Sequence, residues 1–101
     1  MKARLEIRNA LQLKGDMVEA WRTLARIDEL SRNYRELGAS LRRVVELDPK
    51  DVGSTLALGK LYLLAGDIDN ALKMANSATA MAPNDVGALA LKAGVLFRLK
   101  D

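Results

Sequence analysis

The pentapeptide PKDVG at residues 49–53 returns, one letter changed, as PNDVG at residues 83–87, which sets Pro49 and Pro83 34 residues apart. Self-similarity at such a spacing means that one supersecondary unit is used again. Laying residues 51–67 (DVGSTLALGKLYLLAGD) over 85–101 (DVGALALKAGVLFRLKD) aligns Asp51, Val52 and Gly53 with Asp85, Val86 and Gly87, and Asp67 with Asp101. Carried backwards, the shift gives columns of small or apolar residues: Ala3, Leu37, Ala71; then Ile7, Leu41, Ala75; then Ala10, Val44, Ala78; then Leu13, Leu47, Met81. Within each copy these positions advance by four and three, the spacing of one face of an α-helix. Val18, Val52 and Val86 form a further column, as do Trp21, Thr55 and Leu89.

Each unit reads as a helix pair. In the middle copy Asp51 caps a helix that continues to about Ala65, and Gly66–Asp67 makes a turn in which Gly66 is free to adopt positive φ. A second helix runs from Ile68 to about Met81, and Pro83 punctuates its end. The copy before it turns at Ser31–Asn33, where Asn33 tolerates a left-handed backbone, and Asp16 with Glu19 forms a capping pair at its start. The boundaries follow: residues 18–51 and 52–85 are full repeats, residues 1–14 the second helix of a partial repeat, and residues 86–101 the first helix of another.

A helix–turn–helix repeat of this length resembles the tetratricopeptide repeat. Leu58 and Gly59 match that family's Leu–Gly pair, followed by Tyr62; Ala71 and Ala78 match its small residues, and Pro83 closes the unit. Trp21, Leu24 and Pro49 match the preceding copy, which departs at Asp28, in the slot of Tyr62, and at Leu37, in the slot of Ala71. The resemblance implies an all-α fold, a right-handed α-solenoid of antiparallel helix pairs. The phrasing RLEIRNALQLKGD is similar to bacterial repeat proteins of surface-polysaccharide and export systems, and with a partial repeat at either side the chain is expected to be a segment of a longer bacterial protein.

Composition narrows the chemistry. The 101 residues include no Cys and no His, which removes disulfides, thiolate metal sites and the usual general base. Without His, none of Ser31, Ser40, Ser54 and Ser77 can join a Ser–His–acid relay. Asp67 and Asp69 fall short of a calcium loop and read as a cap and a solvated turn residue. No enzymatic activity and no cofactor are expected. The net charge of +3 lies entirely in residues 1–50, with 11 Lys or Arg against 8 Asp or Glu. So mild an excess, with one Trp, two Tyr and one Phe, does not make a nucleic-acid surface. Several arginines have helix partners at hand: Glu19 for Arg22, Glu29 for Arg26, Glu46 for Arg42. No stretch is long and apolar enough to insert in a membrane, and Glu6 and Arg8 interrupt the apolar run that a signal peptide needs. The compartment, cytoplasmic or periplasmic, is left open.

Function is then expected to be the binding of a protein or peptide. By the family resemblance, the first helices line a concave groove, whose face carries Glu19, Arg22, Arg26 and Glu29, then Leu56, Lys60, Leu63 and Leu64, then Phe97 and Arg98. Arg22, Arg26 and Lys60 would form a cationic row beside an apolar strip, suited to a carboxylate-bearing peptide or an amphipathic helix. The last helix is apolar on nearly every side, and Leu89, Val95, Leu96 and Leu99 form its expected self-association surface, a route to a homodimer through the open repeat ends. The alternative is a structural spacer or self-association segment with no ligand of its own.

Overall fold

A computed structural model describes residues 18–100, and among them the chain forms five helices and no strand. The helix expected over residues 1–14 and the Asp16 half of the capping pair lie outside the described residues. The chain divides into two compact units, Met1–Pro49 and Lys50–Asp101.

In the first unit, α1 spans Val18–Leu30 and α2 spans Tyr34–Leu47. Two long-range bonds give their direction: Ser40 Oγ donates to Asp28 Oδ2 (3.2 Å), and Arg22 Nη2 donates to Asp48 Oδ2. Partners move down one helix as they move up the other, so the pair is antiparallel. Leu24 and Ala25 of α1 are buried with Leu37, Leu41 and Val44 of α2, the second set holding one place in each of three columns read from the sequence. Asp28 lies among them at 0% exposure. A carboxylate taken out of water must be hydrogen-bonded, and the Ser40 hydroxyl supplies a donor.

The second unit holds α3 (Val52–Ala65), α4 (Ile68–Met81) and α5 (Val86–Leu99). Each begins at an aspartate whose carboxylate accepts a backbone N–H in the first turn: Asp51 from Ser54 (3.0 Å), Asp67 from Asn70 (3.3 Å) and Asp85 from Ala88 (2.9 Å). This bonds one of the N–H groups that the start of a helix leaves unpaired. Ala71, Ala75 and Ala78 of α4 are buried, as are Ala88, Leu91 and Val95 of α5. Ala71, Ala75, Leu91 and Val95 form a cluster against which Leu56, Tyr62, Leu63, Ile68 and Leu72 pack.

Glycine sets the spacing at the centre of this unit. A Cβ on Gly59 would lie 2.5 Å from Leu91 Cδ2 and 3.1 Å from Met74 Cβ, so α3 meets both α4 and α5 at one point. A Cβ on Gly87 would lie 3.2 Å from Leu56 Cδ1, and one on Gly94 3.5 Å from Leu63 Cδ2. Partner numbers rise together along α3 and α5, so these two helices run parallel.

The turns inside the two hairpins share one hydrogen-bond pattern. After α3, Gly66 N–H donates to the Leu63 carbonyl (3.1 Å) and Asp67 N–H to the Tyr62 carbonyl (2.9 Å). After α1, one period earlier, Arg32 N–H donates to Glu29 (3.1 Å) and Asn33 N–H to Asp28 (2.9 Å). Such a pair of bonds requires a left-handed residue between helix and exit. In α3 it is Gly66, with φ of 82°; in α1 it is Arg32, with φ of 58°, and not Asn33, whose φ is −85°. The repeat register puts Arg32 in the glycine slot and Asn33 in the capping slot of Asp67.

Candidate protein-binding surfaces

On α1 the four expected contact residues differ in what they have free. Arg22 is already engaged, donating to Glu19 on its own helix and to Asp48 beyond the end of α2. Its guanidinium is only partly exposed and ties the start of α1 to the close of α2. Arg26 and Glu29 are exposed. Further along, Arg43, and not the expected Arg42, pairs with Glu46 (3.0 Å). On α1, therefore, Arg26 is the exposed cation and Arg22 is a brace.

In the second unit the expected row also separates. Leu56 and Leu63 are half-buried, because α5 lies beside them and offers glycines at positions 87 and 94. Lys60 is exposed, and Leu64 reaches 83% exposure. On α5, Phe97 lies one turn past Gly94, the residue beside Leu63, and is 69% exposed; Arg98 follows it and is exposed. Neither α3 nor α5 contains an Asp or Glu within its span. Lys60, Lys92 and Arg98 therefore give both helices a positive character around exposed apolar residues.

Of the expected self-association set, Leu89 (50%), Leu96 (48%) and Leu99 (50%) are exposed. Val95 is not. It is buried at 0% beside Ala71, Ala75 and Leu91, because α5 turns its Ala88–Leu91–Val95 stripe inward and Leu96 falls on another side of the helix. Leu89 and Leu96 stand one period on from Thr55 and Tyr62, the α3 side that packs into the helix pair.

The chemical inventory is short. Among the described residues no group of three His, Cys, Asp or Glu side chains is placed to hold a metal ion. Asp67 is taken up as a cap, its second oxygen accepting from the Asn70 side chain (2.8 Å). Among the described residues no helix is long and apolar enough to cross a membrane.

Helix pairs recurring at a fixed 34-residue spacing, with small residues at the crossings and a capping aspartate at the joints Asp51 and Asp85, define a helical-repeat protein. A family model described as tetratricopeptide repeat matches residues 38–98, and the chain belongs to that family. Its members generally act as non-catalytic scaffolds that mediate protein–protein interactions. No curated protein matches the chain.

Proposed function

We propose that the chain is a protein-interaction segment that seats a peptide or short helix of a partner on the first-helix face of its repeats. The observation that carries this reading is the pairing of exposed Leu64 and Phe97 with the cations Lys60 and Arg98 on two parallel helices that carry no acidic residue. An apolar strip with flanking positive charge suits a segment that combines large apolar anchors with Asp, Glu or a terminal carboxylate. On the first unit the same reading assigns Arg26 and Glu29 as exposed contacts, with Arg22 held by its own partners.

Selection of phage-displayed peptides against the chain tests the reading. Enrichment of acidic peptides with one or two large apolar residues is expected, and Leu64→Asp with Phe97→Asp abolishes their binding. Lys60→Glu with Arg98→Glu weakens it about tenfold or more, since charge-assisted contacts contribute roughly 1.5–3 kcal/mol. Peptides with no acidic bias that bind all variants alike would overturn it.

A second reading has its own observation: Leu89 and Leu96 are exposed on α5, whereas their counterparts on α3, Thr55 and Tyr62, are buried and half-buried. This favours self-association, and light scattering over a concentration series measures it.

A further inference from the structure

The exposed residues of α3 and α5 stand in a fixed order, set by how the two helices lie together. Leu56 faces Gly87 and Leu63 faces Gly94, and in both pairs the numbers differ by 31. On one side of this seam α4 fills the space: Gly59 meets Met74 and Leu91, and Leu91 and Val95 join the Ala71–Ala75 cluster. Away from α4, Lys60 continues the stripe of Leu56 and Leu63, and Phe97 and Arg98 continue that of Gly87 and Gly94. By the same offset Phe97 is level with Gly66 and Arg98 with Asp67. At about 1.5 Å per residue, Leu64 lies about 6 Å beyond Lys60, Phe97 about 9 Å and Arg98 about 10 Å. The order is cation, two apolar side chains, cation. Among the described residues neither Lys60 nor Arg98 forms an ion pair.

A ligand that answers this order carries two carboxylates about 10 Å apart on one side, with large apolar residues between them. An extended strand spaces its same-side residues about 7 Å or about 13 Å apart. A polyproline helix returns to one side after three residues, about 9 Å, but turns the two residues between them away. An α-helix meets both demands. Residues seven apart lie two turns, about 10 Å, along one face, and those three and four places after the first lie between them.

We infer, building on the peptide-binding reading of this face, that its occupant is an amphipathic α-helix of a partner protein. That helix carries acidic residues seven apart and large apolar residues three and four places after the first. It lies along the α3–α5 seam, with its carboxylates on Lys60 and Arg98 and its apolar pair on Leu64 and Phe97.

Alanine-based peptides of about 16 residues, long enough to fold as a helix, test the spacing by fluorescence anisotropy. A peptide with glutamates seven apart around a Leu–Phe pair is expected to bind. Moving one glutamate by two places takes it off the face, and a proline between the apolar pair and a glutamate breaks the helix; each weakens binding about tenfold or more. Replacing both glutamates by lysines abolishes binding to the chain and transfers it to a variant with Lys60→Glu and Arg98→Glu. Lys92→Glu changes affinity by less than about twofold, since Lys92 is two residues from Gly94 and lies on the opposite side of α5. Far-ultraviolet circular dichroism checks that each variant keeps its helix content.

Glutamate peptides that bind alike whatever their spacing, with or without the proline, overturn the helical occupant and leave the acidic-peptide reading standing. The same holds if display enriches acidic peptides while the spaced helical peptide does not bind. Absence of binding by every acidic peptide overturns both.

Discussion

The two hairpins of this chain obey one period and pack by opposite means. In the first, α2 contributes bulk (Leu37, Leu41, Val44), and α1 answers with Ala25 and Asp28 beside Leu24, the counterpart of Leu58. In the second, the fully buried residues of α4 are all alanines (Ala71, Ala75, Ala78), and α3 answers with Leu58 and Tyr62 around Gly59. The two departures of the first copy, an aspartate for an aromatic and a leucine for a small residue, are therefore one exchange of volume. A core must be filled to crystal-like density, and the period specifies where helices cross without specifying which helix brings the bulk. The first solution costs more chemistry, since its smaller residue is a carboxylate that needs the Ser40 hydroxyl.

That comparison can be broken most decisively at Leu37. Leu37→Ala leaves a cavity and is expected to destabilise the protein by about 3 kcal/mol in urea unfolding. If volume has been exchanged, adding Asp28→Tyr to Leu37→Ala recovers a clear part of that loss, and strict additivity of the two substitutions would refute the exchange. At the other hairpin, Gly59→Ala forces Leu91 and Met74 to shift and is expected to cost about 2 kcal/mol, the scale of overpacking. The equivalent position of the first hairpin is already alanine at Ala25, so Ala25→Gly opens no closer approach and only loses helix propensity, about 1 kcal/mol.

The turns give a smaller test with the opposite sign. Arg32 holds a left-handed conformation that glycine adopts freely in the other copy, so Arg32→Gly is expected to raise stability by about 1 kcal/mol. A loss of stability would mean that the Arg32 side chain makes a compensating contact. Smallest of all is the Arg22–Asp48 tie, found in the first hairpin. A double-mutant cycle to Ala is expected to give a coupling of about 0.5–1 kcal/mol that shrinks in high salt.

How much was legible in the sequence follows the same division. The ends of α3 and α4 are legible because Asp51, Gly66, Asp67 and Pro83 each act locally on the backbone. In the first unit Asn33 is the residue that the sequence offers for the left-handed turn, since asparagine is the usual non-glycine choice. Only alignment with Gly66 would have pointed to Arg32. Val95 looked like surface because α5 is apolar on several sides, and composition alone does not say which side turns inward. Leu56 and Leu63 looked free because the helix that half-covers them lies 31 residues on, although Gly87 and Gly94 were a signal of close approach. For Arg22 the helix period points to Glu19 alone, since Asp48 lies 26 residues away and no helix period connects them.

The caps at the joints carry a consequence for how such a chain can change over generations. Asp51 bonds to Ser54 and Asp85 to Ala88, each three residues ahead in the same stretch of sequence, so these two repeats each bring their own helix start with them. Copying 34 consecutive codons from one aspartate to the next copies a segment that carries its own helix cap. Lengthening or shortening by whole repeats then asks only that the new neighbours fit side by side, a far lower hurdle for a newly duplicated gene than inventing a fold.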